Sequence, residues 1–301
     1  DYRPQFHFSP EFNFMNDPNG LVYDPSNGTW HMFFQHSPNL PSMMNQTWGH
    51  AQSTDLVNWV QMPTAMEMDE LGRIYSGSAV VDEKNTSGFF TNNKEGESKL
   101  VAIFTHSGGN TADYGGQKQS IAYSKDHGLT WTKYEHNPVI SNKGNQWGSG
   151  FRDPKVFWYE DSSYEHGGIW LMIVAGGRAR IFSSENLIDW KHESDLTYAD
   201  GTPLESECPD MFELPIDGDE NNTKWVYFGA GKFFVLGELV KEDGTFKFVS
   251  ETNRIDISNN VTEMYATQSY YNDGTGQGRR ISVSWMRDST APATLPDKVW
   301  N

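Results

Sequence analysis

Ser53-Thr54-Asp55-Leu56-Val57-Asn58-Trp59, Ser124-Lys125-Asp126-His127-Gly128-Leu129-Thr130-Trp131 and Ser184-Glu185-Asn186-Leu187-Ile188-Asp189-Trp190 follow one design: a serine, an Asp or Asn two residues on, and a closing tryptophan. Asp and Asn side chains hydrogen-bond the backbone just ahead of them and close tight turns, and a tryptophan just after such a turn plugs the gap between neighbouring sheets. From Trp59 to Trp131 is 72 residues and from Trp131 to Trp190 is 59, close to one four-stranded blade with its longer loops. A single Ser-Asp-Trp turn can decorate any β protein. Recurrence in the same order makes it an internal repeat.

The segments between these turns read as strands. Trp30-His31-Met32-Phe33-Phe34, Leu100-Val101-Ala102-Ile103-Phe104, Trp170-Leu171-Met172-Ile173-Val174 and Ile281-Ser282-Val283-Ser284-Trp285 are short apolar runs bounded by Gly, Asn, Asp and Pro, and helical periodicity is almost absent. The predicted fold is all-β: a five-bladed β-propeller occupying residues 1–301 as one domain. In a propeller the first strand of each blade lines the central channel, so residues far apart in sequence meet at one mouth. Asp17 in Asn16-Asp17-Pro18-Asn19-Gly20, Asp153 in Arg152-Asp153-Pro154 and Glu207 in Glu207-Cys208-Pro209-Asp210 fall early in separate repeats and are expected to converge there.

Composition narrows the partners. Forty acidic residues against 23 Lys and Arg leave a net charge of −17, which repels phosphate backbones and anionic lipid, so nucleic acid and membrane are excluded as partners. The chain contains 18 Phe, 13 Tyr and 11 Trp, with Gly and Pro dispersed rather than blocked into linkers, which is the profile of a folded domain. A single cysteine, Cys208, allows no internal disulfide. Five sequons at Asn27, Asn45, Asn85, Asn221 and Asn260 favour a secreted, extracellular glycoprotein. His7, His31, His36 and His50 crowd the first segment, but their spacing fits no zinc pattern, and no metal is expected. Gly115-Gly116 and Gly176-Gly177 lack the Lys-Ser/Thr and helix of a phosphate loop, so no cofactor is expected either.

Seven short motifs carry a family resemblance: Phe14-Met15-Asn16-Asp17-Pro18-Asn19-Gly20, Phe33-Phe34-Gln35, Trp48-Gly49-His50-Ala51, Tyr75-Ser76-Gly77-Ser78, Arg152-Asp153-Pro154-Lys155-Val156-Phe157, Glu207-Cys208-Pro209 and Tyr265-Ala266-Thr267-Gln268. In this order they resemble glycoside hydrolase family 32, which contains the invertases, inulinases, levanases and related fructosyltransferases. The Tyr75-to-Phe90 and Phe151-to-Glu160 stretches look most like fungal and yeast members. The resemblance implies retaining double displacement on β-fructofuranosides such as sucrose, inulin or levan. It makes Asp17 the nucleophile, Asp153 the transition-state stabiliser and Glu207 the acid/base. Asn16, Gln35 and Ser76 match positions that hold the fructosyl unit, and Trp48, Tyr75, Arg152 and Tyr265 join them as substrate-binding expectations. Where the family carries a tryptophan between Phe-Gln and Trp-Gly-His, this chain has Met43 and Met44, a softer apolar wall.

The neighbours of each carboxylate set expectations for its acidity. Backbone and amide donors around Asp17 are expected to keep it ionised, Arg152 to keep Asp153 ionised, and Glu205, Asp210 and Glu213 to hold Glu207 protonated. The family continues into a last propeller strand and a C-terminal β-sandwich, whereas this sequence stops at Lys298-Val299-Trp300-Asn301. The resemblance therefore implies either a longer natural chain, the preferred reading, or a protein that lacks the sandwich, with a sandwich domain and a second copy as candidate protein partners. Transfer to sugar acceptors, endo-cleavage of fructans, and a non-catalytic sugar-binding propeller are the competing functions.

Overall fold

The computed structural model describes residues 6–40, 42–205, 207–257 and 263–287. Four antiparallel sheets follow one another along the chain, each a meander of successive strands. The first contains β1 (Phe14–Asp24), β2 (Thr29–Ser37), β3 (Thr47–Ser53) and β4 (Val60–Met66). The second contains β5 (Arg73–Val81), β6 (Leu100–Ser107), β7 (Gln117–Ser124) and β8 (Thr132–Lys133). The third contains β9 (Lys155–Glu160), β10 (Gly168–Val174), β11 (Arg180–Ser184) and β12 (Lys191–Asp195). The fourth contains β13 (Pro209–Ile216), β14 (Asp219–Gly229), β15 (Phe233–Glu242) and β16 (Thr245–Ser250), with β17 (Ile255–Asp256) added beside β15. A pair, β18 (Glu263–Ser269) and β19 (Ser282–Arg287), completes the described strands. Four residues, Thr111–Tyr114, form the α-helix between β6 and β7.

The first strands close a ring: β1 lies against β5 and β18, β9 against β5 and β13, and β13 against β18. Backbone bonds between distant ends of the chain seal it. The Tyr271 N–H donates to the Leu21 carbonyl at 2.9 Å, and the Asn272 side chain brackets Tyr23 through both backbone groups. The expectation of five blades is corrected here. Four four-stranded blades are present, and the fifth place in the ring is held by a two-stranded sheet among the described residues. The Lys298-to-Asn301 stretch lies outside the described residues.

The repeat is the turn between the third and fourth strands of a blade. In each copy the serine hydroxyl bonds the Asx side chain, and that side chain accepts backbone N–H groups ahead of it: Asn58 to Asp55 at 2.7 Å, Thr130 to Asp126 at 2.9 Å, Asp189 to Asn186 at 2.8 Å. Each tryptophan indole donates back to a turn carbonyl, of Leu56, Gly128 and Leu187 respectively. The rings then pack between sheets, as Trp131 does edge-on to Phe33 of the preceding blade at 5.5 Å. The fourth blade reverses instead through Asp243-Gly244, both at positive φ, in a short turn that needs neither serine nor tryptophan. That is why the repeat appears three times and not four.

The apolar cores lie between blades, since a meander with two covered faces buries both. Ile169, Leu171 and Ile173 meet Met211, Tyr227 and Val235 between the third and fourth blades, while Val101 and Ile103 meet Val156, Trp170 and Met172 between the second and third. In the first blade, His31 and His50 are buried, bonded ring nitrogen to ring nitrogen at 3.0 Å, with Phe33 stacked on His50. Burial lowers His31 to about 4 and His50 to about 3. Both are neutral when folded but protonate at about pH 6.5 when unfolded, so their contribution is present above that value and is lost as pH falls toward the folded values. Urea midpoints of wild type are therefore expected to drop between about pH 6.5 and about 4, and a His50→Gln variant to drop less over the same range.

Candidate active site

The inner strands do not run smoothly into the channel mouth; they bulge there. Asn16 and Asp17 of β1 together oppose the single residue Gln35 of β2, because the register passes from Met15↔His36 to Pro18↔Phe34. Tyr75 and Ser76 of β5 oppose Thr105 in the same way, and Ala266 and Thr267 of β18 oppose Ser284. Ahead of β9, Arg152 and Ala175 exchange backbone bonds while Lys155 pairs with Ile173, so Asp153 and Pro154 oppose Val174. A bulge adds a residue to one strand and re-aims its side chain, and the missing N–H of proline is tolerated there. The same device at the same height in four places turns Asp17, Ser76 and Asp153 toward one point.

That point is a cavity of about 370 Å³, lined by Asn16, Asp17, Gln35, Met43, Gln46, Tyr75, Ser76, Gln117, Arg152, Asp153, Glu207, Cys208, Tyr265, Trp285 and Arg287. Of the residues expected from sequence, Asp17, Asp153, Glu207, Asn16, Gln35, Tyr75, Ser76, Arg152 and Tyr265 meet there. Trp48 does not. Its side chain is fully buried against Phe33 and Phe104, and its indole N–H donates to the Tyr75 carbonyl at 3.0 Å, so it braces the β5 bulge from behind. Gln46, Gln117, Trp285 and Arg287 were not anticipated. They lie in no short motif, but Gln46, Gln117 and Arg287 stand just before or at strand ends, the positions that face a propeller's mouth.

Cys208 is the hub of the carboxylates. Its thiol reaches Asp17 Oδ2 at 3.6 Å and Asp153 Oδ2 at 3.5 Å, and its backbone N–H donates to Asp153 Oδ2 at 3.0 Å. Burial, reinforced by the charges of Asp153 and Asp17, pushes the thiol well above its ordinary range, so it acts as a donor and not a thiolate. Ser76 donates to Asp17 Oδ2 at 2.6 Å. Arg152 bonds Glu207 Oε1 through Nη2, while its Nε stays 3.7 Å from Asp153 Oδ2. The Tyr265 hydroxyl donates to Glu207 Oε2. Arg152 thus partners Glu207 more closely than its chain neighbour Asp153.

The acidities depart from what the local sequence suggests. Asp17 is raised, because burial and the Glu207 charge outweigh the Ser76 and Cys208 hydrogen bonds. Asp153 is raised to about 7 by burial and by Asp17, against Arg152 and the Cys208 N–H. Glu207 is lowered: burial works to raise it, but the Tyr265 and Arg152 bonds together prevail. The expected order is therefore inverted, because the folded chain buries Asp17 beside Glu207 and gives Glu207 the hydrogen bonds of Tyr265 and Arg152. Two outcomes follow for any reaction that needs Asp17 ionised and Glu207 protonated. Ser76→Ala removes a bond to ionised Asp17 and raises its pKa further; because Asp17 is the higher of the pair, the alkaline limb of the pH–rate profile moves upward and the plateau falls. Tyr265→Phe raises Glu207, the lower of the pair, and so moves the acid limb upward.

Residues 7–301 match the model of the glycosyl hydrolases family 32 N-terminal domain. The chain belongs to glycosyl hydrolase family 32. It is 42% identical to a levanase of Bacillus subtilis over 313 residues, covering 100% of this chain and 43% of that protein. It is 36% identical to an extracellular exo-inulinase of Aspergillus niger over 338 residues, covering 99% and 60%. A solved structure of a Schwanniomyces occidentalis fructofuranosidase with fructosylnystose superposes with a TM-score of 0.81 at 34% identity, over 99% of this chain and 57% of that one. The chain thus spans about half the length of the curated relatives it matches. Because the bacterial levanase is the more identical of the two relatives, likeness in two stretches to fungal and yeast members does not assign the chain to their branch within family 32.

Proposed function

We propose that this family 32 domain is the catalytic β-propeller of a longer β-fructofuranosidase that removes terminal fructosyl units from sucrose or from inulin- and levan-type fructans with retention. The observation that carries the reading is the meeting of Asp17, Asp153 and Glu207, from three blades, in one cavity with a shared thiol between the first two. Retaining cleavage uses a carboxylate nucleophile and a carboxylic acid about 5 to 5.5 Å apart. In this reading Asp17 attacks the anomeric carbon and Glu207 protonates the leaving oxygen. Asp153 opposes the positive charge of the oxocarbenium-like transition state and holds sugar hydroxyls. The Asn16 and Gln35 side-chain oxygens are buried without a protein partner, which suits them to receive fructosyl hydroxyls. A cavity of about 370 Å³ takes a sugar residue or two and not the middle of a chain, which supports exo action.

Raised Asp17 with lowered Glu207 means that the productive pair, one ionised and the other protonated, is a minor state of the coupled cluster. The bell-shaped profile then reports the cluster and not either residue alone. Secretion is supported by the accessible sequons at Asn27, Asn45 and Asn221; Asn85 is partly buried with its amide bonded to Phe90 and Thr91, and Asn260 lies outside the described residues.

Incubation with sucrose and with inulin, followed by product analysis and proton NMR of the first-formed anomer, tests the proposal. Release of β-fructose is expected. Growth of oligosaccharides at high sucrose would make the enzyme a transferase, internal cuts in inulin an endo-fructanase, and no product from either sugar would leave a non-catalytic sugar-binding domain.

A further inference from the structure

Three neighbouring inner strands carry a non-glycine residue in the left-handed region at the height of the cavity: Asp153 (φ 61°), Cys208 (φ 44°) and Ala266 (φ 51°). Such conformations are strained and persist only where the surroundings over-determine them. Directly behind them the same three strands are tied in one knot. Lys155, two residues past Asp153, places its Nζ 3.3 Å from Asp210 Oδ2 and donates to the Ser269 carbonyl. Asp210, three residues past Glu207, accepts the Ser269 N–H on Oδ2 at 2.6 Å and the Met211 N–H on Oδ1 at 2.8 Å. Ser269 stands four residues past Tyr265. All three are at most 3% exposed.

Two cavities lie near the knot. Asp153, Glu207 and Tyr265 face the 370 Å³ cavity, while Lys155, Met211 and Tyr271 face a separate cavity of about 760 Å³ behind it. A buried ion pair is a poor source of net stability, because desolvation of both charges offsets their attraction. What this one supplies is geometry: a charged, directional link between three strands where an apolar contact would tolerate sliding.

We infer that Lys155, Asp210 and Ser269 are positioning residues. They form the floor of the active site and hold Asp153, Glu207 and Tyr265 in register with one another. The inference rests on the fructosidase reading above for its activity readout. Lys155→Met alone removes one of the cations that balance the buried Asp210 carboxylate, Arg280 being another that acts on it, and is expected to lower stability. The decisive variant is therefore Lys155→Met/Asp210→Asn, which removes the bonded pair at similar volume and leaves Arg280 in place. This variant is expected to keep a cooperative melt close to that of wild type. Its KM should stay within about twofold, and its kcat should fall at least tenfold, because Glu207 and Asp153 lose alignment that matters most in the transition state.

A folded double variant with kcat within about twofold of wild type would overturn the assignment. So would a double variant that does not fold, since the pair would then hold the domain together and not place three side chains. Wild type in the same assay tests the function separately: if it releases no fructose, the fructosidase reading falls. The knot is then judged by ¹³C NMR titration of the Glu207 carboxyl. The titration should move by about one pH unit between wild type and the folded double variant if Arg152 and Tyr265 lose their hold on it, and an unmoved titration would again overturn the assignment.

Discussion

Asp17→Ala is expected to lower kcat for sucrose or inulin about 10⁴-fold or more while leaving the fold intact. Neighbouring carboxylates are poorly placed to replace it. Asp153 is held by the Cys208 N–H and thiol, and Glu207 is bound by Arg152 and Tyr265. Stability should not suffer, because deleting Asp17 removes a charge that crowds Asp153. With that repulsion gone, Asp153 should titrate below its value of about 7, a shift readable by ¹³C NMR. Initial rates of fructose release with pure variant, and the Asp153 titration, check both halves. Residual activity within about tenfold of wild type would remove the nucleophile role from Asp17.

Glu207→Ala is expected to cost about 10³-fold in kcat on sucrose, within the range for loss of a general acid and base. The loss should be much smaller on a fructoside whose leaving group needs no proton, because attack by Asp17 is then the only demand on the first step. Azide, which needs no general base, should restore part of the rate and yield the β-fructosyl azide, since it enters from the face that the leaving group vacated. Rates on both substrates with and without azide, and NMR of the azide product, make the test. Equal losses on both substrates with no azide product would assign the acid/base role elsewhere. The variant also frees the Arg152 guanidinium, whose Nε already stands 3.7 Å from Asp153, so Asp153 should become more acidic in this variant too.

Much of this domain is legible in one dimension. Serine, Asx and tryptophan recur because a turn of fixed geometry needs those donors and acceptors and because a large ring must fill the wedge between sheets. The fourth blade escaped the pattern because Asp243-Gly244 closes its last hairpin through backbone conformation alone. Asp17, Asp153 and Glu207 stand out because their motifs occur in the order of a family's motif set; each motif alone reads as an ordinary turn. Trp48 misleads for a physical reason: a strand alternates its faces, and nothing local says that this indole turns into the core to cap Tyr75. Gln117 and Arg287 were invisible because they become site residues only when the ring of strands closes.

Residue identity and order alone determined that this chain would be a β repeat protein of acidic surface, with three carboxylates early in separate units and a family 32 signature. Those features depend on short-range hydrogen bonding, strand periodicity and summed charge, all of which are local or additive. Only the tertiary structure decided which groups face one another. It bonded Arg152 to Glu207 as well as setting it near its neighbour Asp153, brought one thiol to two carboxylates, and inverted the order of acidities of Asp17 and Glu207. It also tied Lys155, Asp210 and Ser269 together behind them. A pKa depends on distance and burial in three dimensions, and four strand bulges at the mouth of a closed ring set both.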